Sequence, residues 1–121
     1  MSSTVKTTKK DFELFKRECR KWIVRFGLKN WQVHYQHKAD EGYRGQICVD
    51  LNGYIATIFL SKTWYRISYS DADIRKTAFH EVMHLLLARF RANAISRYVG
   101  PNEMDESEHE IIRTLESTVW E

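Results

Sequence analysis

From Phe12 onward the apolar residues form one stripe. Phe12, Phe15, Cys19, Trp22 and Phe26 recur at spacings of three and four, which predicts an amphipathic helix with one buried face. Thr8, with Asp11 three residues on, has the form of a capping box that would open this helix. Gly27 stands just past the stripe, where a helix end calls for left-handed backbone. The period then shortens to two. Trp31, Val33 and Tyr35 alternate with Gln32, His34 and Gln36, as in a half-buried strand. Two more alternating runs, 47–51 and 54–60, flank Asn52-Gly53. That dipeptide predicts a hairpin on a type I′ turn, with Leu51 opposite Tyr54 and Val49 opposite Ala56 on one face. Ile55, Thr57 and Phe59 fall on the other face.

Residues 61–69 (SKTWYRISY) keep no clear period and read as a loop with a short strand or turn. Ser70 with Asp73 repeats the capping-box form, and a helix is predicted from about residue 71 to about residue 93. Gly100-Pro101 interrupts the chain, and Asn102 is a candidate cap for a last helix with acidic first turns, as the helix dipole favours. Residues 1–7 show no periodicity and read as a flexible tail, leaving 8–121 as one domain. The layout is an N-terminal helix, a small antiparallel or mixed sheet of about three strands, a long helix and a C-terminal helix, which is the α+β class.

Composition narrows this little. With 43% hydrophobic and 29% charged residues over 121 positions, the chain is neither disordered nor fibrous. Its longest apolar run, residues 85–88, is too short to span a membrane. The net charge is +3, and lysines and arginines crowd the predicted first helix, from Lys9 and Lys10 to Arg25. Such a face would suit nucleic acid as a partner, but a solvated helix face is the simpler account. Cys19 and Cys48 lack metal or redox spacing, and no signal peptide is apparent, so a reduced, cytoplasmic setting is expected. The oligomeric state is not indicated.

The chemistry concentrates in "FHEVMHLLLARF", residues 79–90. His80 and His84 are four apart on a predicted helix and so share a face, close enough for both imidazoles to reach one tetrahedral ion. Glu81 lies beside the first histidine but angled away, where its carboxylate can meet a water activated by the metal. A chance HExxH would arise in roughly 1–2% of shuffled chains of this composition. A histidine pair beside an apolar stripe can also be a satisfied polar patch; the helical context, with Phe79, Val82, Met83, Leu86 and Phe90 on the core side, favours the metal site.

Zinc at such a site needs a third protein ligand. In "EMDESEHEIIRTLES" a stripe set by Ile111, Ile112, Leu115 and Val119 extends back to Glu108 and Met104. Glu108 is therefore the carboxylate expected to turn inward, and an inward carboxylate needs a partner. His109, about 100° round the helix, is the alternative. His34 and His37 are read as exposed or structural.

HEVMH on the penultimate helix, behind a three-strand segment and ahead of a helix offering an acidic ligand, resembles a zincin metallopeptidase of the gluzincin type. Together with the small size, the run "FHEVMHLLLARFRA…ESEHEIIRTLES" is similar to compact metallopeptidase-like proteins of phages and prophages, related in outline to the SprT-like and ImmA/IrrE-like families. The resemblance spans roughly residues 10–120, with HExxH its one specific motif. It departs from the gluzincin pattern at Ile112, where an acidic residue would stand four positions after Glu108. SprT-like proteins take a histidine as third ligand, which keeps His109 in view.

The resemblance implies a minimal zincin fold and a zinc-dependent peptidase acting on a peptide or protein, with His80, His84 and Glu108 as ligands and Glu81 as general base. The location would be the cytoplasm, of the host cell if the protein is phage-encoded. Tyr65, Tyr69, Arg97, Tyr98 and an unliganded His109 are candidates to stabilise the oxyanion. Two other functions remain open: a zinc-binding interaction or regulatory module with little turnover, and a SprT-like nucleic-acid-associated protease.

Overall fold

The structure, a computed structural model, describes residues 3–39, 42–96 and 98–119. Helix α1 (Lys9–Arg25) opens as its sequence predicts. The Asp11 amide donates to the Thr8 hydroxyl at 3.1 Å and the Thr8 amide to the Asp11 carboxylate at 2.9 Å. Beyond its last turn Gly27 takes φ +70°. A Cβ there would also run into Thr118, so this glycine both turns the chain and admits the C-terminal helix.

Three strands follow: β2 (Gln32–Lys38), β3 (Gly45–Asp50) and β4 (Ile55–Ser61), with β1 (Val5–Lys6) lying ahead of α1. They form a mixed sheet in the order β2-β4-β3, with β2 parallel and β3 antiparallel to the central β4. Val49 faces Ala56, the expected register. The connection is not a type I′ turn, however. Neither Asn52 nor Gly53 has positive φ; Tyr54 does, at 53°. Asp50 is the reason: its Oδ1 accepts from the amides of Asn52 (3.1 Å) and Gly53 (3.3 Å), which fixes a longer four-residue turn.

Residues 5–7 do not behave as a loose tail. Val5 and Lys6 pair antiparallel with β5 (Thr63–Trp64). Thr7 is buried; its hydroxyl donates to the Ser61 carbonyl at 2.7 Å and lies 2.7 Å from His37 Nε2. His37 in turn stacks on Phe12, so this histidine is structural.

The predicted long helix is two: α2 (Asp71–Leu86) and α3 (Ala88–Ile95), parted at Leu87. No glycine or proline marks the break. Its cause is tertiary, because α2 buries Ile74, Ala78, Val82 and Leu85 in the core whereas α3 buries nothing there and lies against α4 (Pro101–Thr118). Gly100 caps α4 in place of Asn102, and Pro101 occupies its first position, where a missing N–H costs nothing.

Helices α1 and α2 pack together, and with the Ala56, Ile58 and Leu60 face of the sheet they enclose the core. Each fully buried side chain here, such as Phe15 or Ile58, contributes about 1.5–3 kcal/mol of hydrophobic stabilisation. The opposite sheet face is polar, with Gln36, Lys38 and Cys48 exposed and the Lys38 ammonium 4.2 Å from the Phe59 ring. The architecture is α+β, as the sequence pattern predicts. No helix among the described residues is long and apolar enough to cross a membrane.

Candidate functional site

Helix α2 runs beside β3, and the groove between them is lined by His80, Glu81 and His84 from the helix and by Gly45, Ile47 and Val49 from the strand. The groove continues past Ala88, Arg91 and Ala92 of α3 and encloses about 560 Å³. A second hollow shares Tyr43, Gly45, His80 and Glu81 with it and extends towards Arg44 and Lys76. The HExxH residues therefore sit part-way along a trough, not at its end.

His80 and His84 are both solvent-accessible, and their Nε2 atoms are 3.2 Å apart. Two nitrogens about 2.0–2.1 Å from one tetrahedral ion stand about 3.3 Å apart, so the pair has the bite that zinc requires. Burial, the neighbouring His80 and the Arg91 guanidinium all hold the His84 pKa below its ordinary value. That favours the neutral imidazole, the form that ligates metal.

Glu81 is 5% exposed, on the same helix but rotated towards the core. Burial pushes its pKa up, and the adjacent His80 opposes that only in part. The result is a carboxylate more basic than one in water. Gly45 makes room for it. A Cβ on Gly45 would come within 3.0 Å of the Phe59 carbonyl oxygen and of Thr77 Cγ2, and 3.4 Å from Glu81 Oε2.

The two third-ligand candidates are not brought to the pair. Glu108 and His109 are exposed and line neither hollow. His109 Nδ1 lies 2.8 Å from the carbonyl oxygen of Asp105. Among the described residues no third His, Cys, Asp or Glu stands with His80 and His84 in metal-holding geometry. The expectation that Glu108 turns inward fails for a definite reason. The buried face of α4 carries Ser107, 2% exposed, with Ile111 and Leu115 packed on the core, whereas Ile112 is 40% and Val119 37% exposed. The buried stripe keeps Ile111 and Leu115 but continues back to Ser107 instead of Glu108, so it is turned away from Glu108 and Ile112. Ser107 satisfies its hydroxyl locally, on the Glu103 carbonyl at 2.9 Å and on the Asn93 amide.

The expected oxyanion donors also lie elsewhere. Tyr69 donates to Asp11, Tyr65 and Tyr98 line neither hollow, and Arg97 falls outside the described residues. Sequence reasoning missed Tyr43 and Arg91, which do line the trough. Arg91 was findable: it follows His84 by seven residues, two helical turns on the same face.

No family model matches the chain, and no curated protein does. A solved structure that is similar is the metallopeptidase zymogen of Methanocaldococcus jannaschii jannalysin, at 19% identity over 84% of this chain and 96% of that one, with a TM-score of 0.45. A likeness that loose is one of outline, and the chemistry rests on the residues.

Proposed function

We propose that the α2–β3 trough is the active site of a metal-dependent peptidase. The observation that carries this is the His80–His84 pair with Nε2 atoms 3.2 Å apart beside the buried Glu81 carboxylate. His80 and His84 would hold the metal, with zinc matching two imidazole donors. Such an ion, when bound, polarises a scissile carbonyl and makes water acidic enough to attack at neutral pH.

The chain's own residues would do the rest. Glu81 takes the proton of the attacking water and returns it to the leaving amine. Strand β3 pairs with β4 alone among the described residues, so its outer edge offers backbone donors and acceptors to an extended peptide. Tyr43, which lines both hollows with His80 and Glu81, would be the side-chain donor to developing charge on the carbonyl oxygen. Glu108, or else His109, would complete the ligand set only after a rearrangement that carries α4 towards the trough, since no α4 residue lines it.

The outward setting of those two side chains favours a second reading, a metal-binding interaction module with little turnover. Glu81 separates the two, since a structural site has no use for a buried base beside its ligands. The deciding experiment is cleavage of a mixed peptide library. Peptidase function predicts cleavage that stops on chelation, returns with zinc and is absent from His80→Ala; metal binding without any cleavage would favour the module.

A further inference from the structure

Beyond His84 the trough changes character. Its strand side carries Ile47 and Val49 and its helix side Ala88 and Ala92, an apolar stretch of the trough. At its rim stands Arg91. The contrast with Arg89, two residues earlier, is informative. Arg89 is engaged twice, 3.0 Å from the Glu110 carboxylate and 2.9 Å from the Tyr54 hydroxyl, to which it donates. Arg91 is exposed, and among the described residues it has no carboxylate partner. A guanidinium is built to grip carboxylates through two parallel N–H donors. Here one lines the same trough as the apolar residues and the two histidines.

We infer that Arg91 sets specificity: the apolar stretch takes an apolar side chain of the peptide, and Arg91 binds a carboxylate that follows it closely. That carboxylate is either the peptide's own C-terminus or an acidic side chain. This rests on the peptidase reading of the trough and narrows its substrates to peptides with an apolar residue beside an acidic group.

The test is equilibrium binding of dye-labelled short peptides to zinc-loaded Glu81→Gln protein, which holds the peptide without cutting it. Three peptides share one leucine: one ends in an amide, one ends in a free carboxylate, and one is amidated with aspartate after the leucine. The free acid, the aspartate peptide or both should bind about tenfold tighter than the plain amide, the scale of one charge-assisted hydrogen bond. Adding Arg91→Gln should abolish that gain with an unchanged melting temperature, and Arg91→Lys should restore part of it. A gain confined to the free acid identifies the chain terminus, and one confined to the aspartate peptide identifies a side chain. Equal affinity for all three peptides, no binding of any, or a gain that survives in Arg91→Gln would overturn the assignment. Zinc retention and cleavage by the wild type are read separately. If those fail while the Arg91-dependent gain stands, it is the peptidase reading that falls.

Discussion

The Nε2 atoms of His80 and His84 lie 3.2 Å apart across one turn of α2, a separation suited to a shared ion. Both rings are accessible, and His84 is biased towards its neutral form. His84→Ala should therefore remove high-affinity zinc binding, read by competition with a chromophoric chelator. Glu108→Ala and His109→Ala should each leave the affinity unchanged, because both side chains face solvent. Loss of zinc in Glu108→Ala would instead show that this carboxylate takes part in holding the metal.

Much of this arrangement was legible in the sequence. The α1 stripe, its two caps, the Val49–Ala56 register and the HExxH face all follow from local periodicity, and local periodicity is what one chain reveals. The remainder depends on contacts between distant segments. Nothing around Val5 marks it as a strand until β5 is there to receive it. The phase of α4 was misread because Ile112 and Val119 are apolar but exposed, while Ser107 is polar but buried against Asn93. The break at Leu87 likewise has no local signal, since it arises where α2 follows the core and α3 follows α4.

Gly45 governs how closely β3 approaches Glu81. Gly45→Ala would press a methyl against the Phe59 carbonyl and Thr77 and bring it into contact with Glu81 Oε2. The expected cost is about 1–3 kcal/mol of stability, as for other overpacked sites. Any peptidase activity should fall by more than that loss of folded protein explains, since β3 and Thr77, one helical turn before Glu81, must shift. Denaturant melts and activity per folded molecule, measured together, check both parts. Wild-type values for both would show that β3 has room to spare.

Acid should weaken the contact between the start of α1 and Tyr69. Burial alone would raise the Asp11 pKa, but the Tyr69 hydroxyl and the Thr8 amide and hydroxyl outweigh it and hold this carboxyl below its ordinary range. A carboxyl whose folded pKa is depressed stabilises the fold above its unfolded pKa, and that contribution is lost as pH falls through the folded pKa. Asp11→Asn should therefore melt a few degrees below wild type at pH 7. The gap should close as pH is lowered through the ordinary carboxylate range and beyond. Thermal melts across that range test this, and a gap independent of pH would show that the ionised form of Asp11 adds nothing.

The most direct test of the central claim is peptide turnover by zinc-loaded wild type beside Glu81→Gln, with bound zinc quantified in the same samples. Glu81 is buried next to the first histidine without sharing its accessible face, so the variant should keep its zinc. Its turnover should fall by roughly 10²–10⁴-fold, the usual contribution of a positioned general base. Equal zinc with equal turnover would contradict the account, because the buried carboxylate would then take no part in the chemistry.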